Sequence, residues 1–198
     1  MKKLILATLV TLIGFGVLAF KPVPVGKWDL DKSHSNVKFS VTHLLVSETE
    51  GTFKIANASV LSDKPDFTDA LINFDIDVNS INTDNADRDK HLKSDDFFNA
   101  EQFPKAVFTS TSFTKVKGNN YKLIGNLKIR DITKPVTFNV IYGGTVKDPW
   151  GNVKAGFKAT TKINRFDYNL KWNTLTEVGG AVVGKEVTLI CNIELKKS

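Results

Sequence analysis

Cysteine, methionine and histidine are scarce in this chain: one Cys, one Met and three His in 198 residues. The single Cys191 excludes an internal disulfide framework and leaves no Cys/His spacing for a structural zinc site. His34, His43 and His91 are not spaced to place two rings on one helix face. The sequence has no Gly-x-Ser-x-Gly elbow and no phosphate-binding glycine loop. With no identifiable nucleophile, no metal set and no cofactor motif, the reading is of a protein that is not an enzyme. Long runs of basic residues are also missing, as is any interleaving of basic and aromatic residues. The formal net charge of +6 therefore does not point to a nucleic-acid partner. Only one long apolar run exists, and it lies at the start.

That run extends from Leu4 to Leu18, behind Lys2 and Lys3, and ends at Val17-Leu18-Ala19, a plausible signal-peptidase site. It is shorter than the ~20 residues of a stable membrane span. The expected organisation is a signal peptide over 1–19, a leader over 20–27, and one domain over 28–197, periplasmic or secreted after cleavage near Ala19. The formal charge then falls to +4, mild enough to act through solubility and a weak bias toward anionic headgroups. Such a surface allows transient membrane contact.

In what remains the hydrophobic period is two rather than 3.6. Val37, Phe39 and Val41 alternate with Lys38, Ser40 and Thr42. Ile72, Phe74, Ile76 and Val78 alternate with Asn73, Asp75, Asp77 and Asn79. Tyr121, Leu123, Leu127 and Ile129 share a face interrupted by Gly125, and similar segments run through Val136–Val140, Val153–Ala159 and Val187–Leu195. Such alternation marks strands with one hidden face. Turn clusters at Lys117–Asn120, Gly143-Gly144, Asp148–Asn152 and Gly179-Gly180 separate them. The fold class expected is all-β, an antiparallel sandwich or barrel with no internal repeat. Cys191 falls in the last alternating segment, as a small buried hydrophobe. His43 is in phase with Phe39 and Val41, so its ring points inward or ends the strand.

One stretch breaks the rhythm. Thr83–Phe103 is charged and rich in helix-start residues: Thr83 or Asp84 is placed to cap a short helix through Leu92, and Ser94 or Asp95 a second turn. Phe97, Phe98 and Phe103 would be costly to leave in water, so the segment is expected to lie across one barrel end as a lid. Arg88, Asp89 and His91 read as a structural polar network of that lid, with an acid–base cluster as the alternative.

RDKHLKSDDFF at Arg88–Phe98 resembles the most recognisable motif of the YceI-like family. WDLDKSHSNVKFSVTHL at Trp28–Leu44, SINT at Ser80–Thr83, GNLKIRDITKPVTF at Gly125–Phe138, NRFDYNLKW at Asn164–Trp172 and GKEVTL at Gly184–Leu189 resemble its other signatures, in the same order. Asp131, where a small residue is usual, and Asn169, where Gly often follows the aromatic, depart from the pattern. The resemblance implies an extended eight-stranded lipocalin-like barrel that binds a polyisoprenoid or isoprenoid quinone in an internal tunnel. Taken with the alternation, it nominates Phe39, Val41, His43, Phe74, Ile76, Val78, Phe97, Phe98, Leu127, Ile129, Phe138, Phe157, Phe166 and Trp172 as ligand contacts. The residues alone leave open whether the barrel is hollow or filled by its own side chains. They also leave open a barrel enzyme, a packed-core interaction module and a homodimer.

Overall fold

The alternating segments form antiparallel strands in the computed structural model, which describes residues 26–175 and 179–198. In chain order they are β1 (Lys27–Leu30), β2 (Asn36–His43), β3 (Ser47–Leu61), β4 (Leu71–Asn82), β5 (Lys105–Lys117), β6 (Asn120–Ile129), β7 (Ile132–Lys147), β8 (Val153–Asn164) and β9 (Val183–Lys197). The signal peptide and nearly all of the leader lie outside the described residues. Among those described, no helix is long and apolar enough to cross a membrane.

Strands β2 to β9 pair in a closed ring, β4 returning to β3. β1 adds no further position. It pairs with Val60 and Leu61 of β3 and with Leu195–Lys197 of β9, the same two strands that flank β2 further along. β1 and β2 are thus one interrupted position of an eight-stranded barrel, and closure leaves no free sheet edge.

The interruption at residues 31–35 is held by charge. Lys154 of β8 hydrogen-bonds Asp31 and reaches Glu194 at 3.0 Å, and His34 Nδ1 lies 3.0 Å from Asp31. The Lys154 ammonium, the Ser33 hydroxyl and His34 together hold the Asp31 carboxyl well below its usual range. A carboxyl with a depressed folded pKa contributes stability above its unfolded pKa and loses it as pH falls through the folded value. The Asp31 contribution should therefore be complete above about pH 4 and decline below it. Asp31→Asn should cost about 1–2 kcal/mol at pH 7, since Lys154 keeps Glu194 as a partner, with the difference from wild type narrowing toward pH 2. Denaturant titrations at the two pH values measure this. An equal deficit at both would mean that Asp31 acts through shape and not through charge.

The one α-helix among the described residues, α1 (Ala86–Lys93), begins slightly later than the sequence suggested. Asn85 is the cap, its side chain accepting from the Arg88 N–H, while Asp84 adopts a left-handed conformation at φ 58°. Thr83 is used differently: its N–H and hydroxyl donate to Asp89, and Arg88 donates to its hydroxyl and carbonyl oxygens. His91 pairs with Asp96 at 2.9 Å. These contacts form a structural network of the lid.

Candidate functional site

Inward-facing side chains are set by the strand period. On β6 every second residue from Tyr121 to Ile129 is buried. Gly125 belongs to that face, because the ring of Phe108 occupies the space its side chain would need. A Cβ there would stand 2.4 Å from Phe108 Cζ and from the Thr109 carbonyl oxygen. Gly51 does the same for Phe39, its cross-strand partner, whose ring would lie 2.5 Å from a Cβ. Two glycine notches therefore let two phenylalanine rings lie against the wall.

The barrel is hollow. An apolar cavity runs through it with about 200 Å³ of space for the centres of water-sized molecules. A single water needs only about 10–15 Å³ by that measure, yet an apolar lining gives water no partners, so such a space stays dry or takes an apolar guest. The wall includes Phe39, Phe53, Ile76, Phe108, Leu127 and Ile193, and Arg165 is the one charged residue among the described residues that line it. At roughly 24 cal/mol per Å³ of unfilled core, 200 Å³ costs about 5 kcal/mol. That is a large share of the ~5–15 kcal/mol stability of an ordinary domain. An apolar guest would remove most of this cost.

The two ends differ. Opposite the lid, Phe67 enters from the β3–β4 connection and contacts Trp28 (ring centroids 4.9 Å apart), Phe157 (5.0 Å) and Tyr142 (5.7 Å). Tyr142 stacks on Phe157, and Tyr121 on Phe113, so aromatic rings plug this end. At the lid end, Leu92, Phe97 and Phe98 close over Val41, Val183 and Arg165. Arg130, in the β6–β7 turn, latches the lid. It donates to the carbonyls of Asp95 (3.1 Å), Phe97 (2.9 Å) and Asn169 (3.2 Å) and to the Asp95 carboxylate (2.9 Å). Asn169, at the family's usual glycine, has φ 59°, a left-handed conformation that Asn tolerates.

Ten of the fourteen nominated contacts line the cavity: Phe39, Val41, Phe74, Ile76, Phe97, Phe98, Leu127, Ile129, Phe138 and Phe157. Four do not. Val78 is buried but leaves the wall, because β4 bulges after Asp77. The Ser80 hydroxyl takes the Lys54 N–H, and Val78 donates to the Pro104 carbonyl. His43 ends β2 beyond a register shift and only reaches the rim. Phe166 follows the last inward residue of β8 and lies outside, its ring 4.3 Å from the Arg165 guanidinium. Trp172 packs on the outer side of the lid against His91 and Phe97.

Phe53, Phe67, Phe113 and Arg165 line the cavity without having been nominated. Phe53 was legible in the alternation of Thr52–Ile55, and Arg165 in its two-residue step from Ile163. Phe67 sits in a connection at φ 58°, and nothing in the pattern marks it. Cys191 does face the lumen as a small hydrophobe, and burial pushes its thiol up to about 12. Its reaction with an aromatic disulfide reagent at pH 8 should be about 100-fold or more slower in the native than in the unfolded protein. Rates within tenfold of each other would place Cys191 outside the closed wall.

A closed antiparallel barrel around an apolar bore, lidded at one end and plugged at the other, is a lipocalin-like ligand-binding architecture. Residues 28–195 match the model of the YceI-like domain, and the chain belongs to that family. It is 39% identical over 168 residues to Protein YceI of Salmonella newport, covering 85% of this chain and 84% of that protein. The crystal structure of Burkholderia cenocepacia BcnA superposes with a TM-score of 0.73 at 23% identity, over 84% of this chain and 99% of that one. A polyisoprenoid binding domain from Saccharophagus degradans, implicated in plant cell wall breakdown, has the same fold with a TM-score of 0.62. It is 14% identical, over 88% of this chain and all of that domain.

Proposed function

We propose that this chain is an exported lipid-binding protein that holds a polyisoprenoid or isoprenoid quinone in the barrel, for carriage or storage, without catalysing a reaction. The observation that carries the reading is the apolar cavity, whose lining offers hydrocarbon along its whole length. The polyisoprenoid-binding neighbour supports the same ligand class, and the leading residues support a periplasmic or secreted location. Each buried CH₂ is worth roughly 0.8 kcal/mol against water, but almost nothing against a bilayer interior. A tail can therefore exchange between barrel and membrane at little net cost, with selectivity left to length and to polar groups. Leu45, Val46 and Leu175 are exposed at the lid end, where transient contact with a bilayer would bring the mouth to the lipid.

The test is organic extraction of the mature protein, purified from its own envelope or medium, followed by mass spectrometry. About one isoprenoid-tailed lipid per chain is expected. Protein that carries none, and takes none from polyprenol-loaded vesicles, would point instead to a packed interaction module.

A further inference from the structure

The net charge is small, but the charges are sorted around the barrel. Residues 105–164, which form β5 to β8, hold eleven Lys and Arg residues against two acidic ones, Asp131 and Asp148. Residues 36–104, which form β2 to β4 and the lid, hold thirteen Asp and Glu against six Lys and Arg. β5 to β8 are adjacent in the ring, so one wall of the barrel is basic and the wall across from it acidic.

Strand alternation sends the cations of the basic wall outward. On β6, Lys122, Ile124 and Lys128 belong to the exposed set, and the alternate residues are buried. Lys122 lies opposite Asn139 of β7 and donates to its side-chain oxygen, and Ile141 of β7 lies opposite Lys158 of β8. Lys122, Lys128 and Lys158 take part in none of the ion pairs among the described residues. The paired cations of this wall, Lys105, Arg130, Lys154 and Lys162, draw their partners from outside residues 105–164. Val116, Ile124, Ile141 and Val146 are exposed among the lysines. Trp150, 84% exposed, tips the β7–β8 turn, which Asp148 braces by accepting the N–H groups of Trp150 and Asn152.

We infer that the outer face of β5 to β8 is a docking wall for an anionic lipid leaflet, and that it holds this chain at the membrane surface. Ammonium groups reach the anionic heads there, while their stems and the scattered apolar side chains sit toward the acyl boundary, with a tryptophan at the margin. On a nucleic-acid backbone those apolar side chains would have nothing to meet. A second copy could offer its acidic wall, but Ile124 and Ile141 stand four ladder positions apart and form no joined patch for a protein to cover. A fluid leaflet needs no such match. Resting on the wall lays the barrel on its side, and the lid-end contact of Leu45 and Val46 is then a second, shorter-lived step by which a tail passes. The wall acts whatever fills the bore, so it stands apart from the tail reading.

Flotation of the mature protein with two kinds of vesicle tests this. One is phosphatidylcholine alone, the other equal parts of phosphatidylcholine and phosphatidylglycerol, and neither holds an isoprenoid. In low-salt buffer wild type should float with the mixed vesicles and stay behind with phosphatidylcholine, and about 0.5 M salt should release it. Each lysine brought to an anionic surface strengthens partitioning about fivefold, so Lys122→Gln, Lys128→Gln and Lys158→Gln combined should weaken it roughly 100-fold. The same loss of charge elsewhere, Lys38→Gln, Lys54→Gln and Lys90→Gln combined, should weaken it less than about threefold. All six lysines are exposed, so both variants should fold.

Equal losses in the two variants would mean that net charge alone acts, and would overturn the docking wall. Wild type that ignores phosphatidylglycerol would do the same. Salt-sensitive self-association without vesicle binding would give the wall to a second copy instead. None of these results touches the lipid extracted from the bore, which is measured separately.

Discussion

Ile76→Glu is expected to empty the barrel without unfolding it. Ile76 lies in the cavity wall between Ile55 of β3 and Ala106 of β5, in mid-sheet. A carboxylate there meets hydrocarbon on every side, a transfer that costs several kcal/mol unless water or a proton accompanies it. In a solid core that penalty would fall on folding. Here the adjacent void can admit water, so it falls on the tail, and loading should drop from about one lipid per chain to below about 0.1. Asp75→Asn is the matched control. Asp75 points the other way and pairs with Lys105 at 3.3 Å, and loss of a half-exposed pair of that kind costs at most about 1 kcal/mol. Extraction of the folded, monodisperse fraction of each variant gives the answer. Equal loading would mean that the tail does not pass this strand, and outright unfolding of Ile76→Glu would mean that the bore is not available to water.

Phe67→Ala should produce the largest loss of stability. The ring is 2% exposed and touches three others, Trp28, Tyr142 and Phe157, at the plugged end. Phenylalanine truncation in such a setting typically costs about 3–5 kcal/mol. The upper part of that range is expected, because the cavity left behind joins one already present and cannot collapse. The midpoint of guanidinium unfolding should fall accordingly, with the slope unchanged. A loss under about 1 kcal/mol would show that the other rings close the end without Phe67.

Much of this was legible from residue order, for a definite physical reason. A strand fixes its side-chain directions by covalent geometry, so wherever the ladder is regular, alternation names the wall. Tyr121 to Ile129 on β6 and Phe39 and Val41 on β2 are of this kind. Prediction failed where the ladder was not regular. Val78 is diverted by a bulge whose cause is a hydroxyl–backbone contact between Ser80 and Lys54, and hydropathy carries no trace of such a contact. Phe166 and Trp172 lie past Asn164, where the chain leaves the sheet and a period of two no longer applies. Family resemblance supplied the closed eight-stranded barrel, and the charged stretch Thr83–Phe103 with its phenylalanines supplied the lid.

Hollowness was the least legible property. Fourteen phenylalanines are enough to fill a barrel or to line one, and the choice depends on where rings rest. Gly51 and Gly125 make that choice for Phe39 and Phe108.

Those two notches carry a consequence for how such a barrel can diverge. A methyl group at Gly51 would lift the Phe39 ring off the wall and swing it across the bore, narrowing the passage at that level, whereas at Gly125 it would also meet the Thr109 carbonyl oxygen and shift the strand itself. The length of guest admitted could therefore change through a substitution that never touches the guest. In relatives of this chain, the residue on which each inward phenylalanine ring rests is the place to look for differences in calibre.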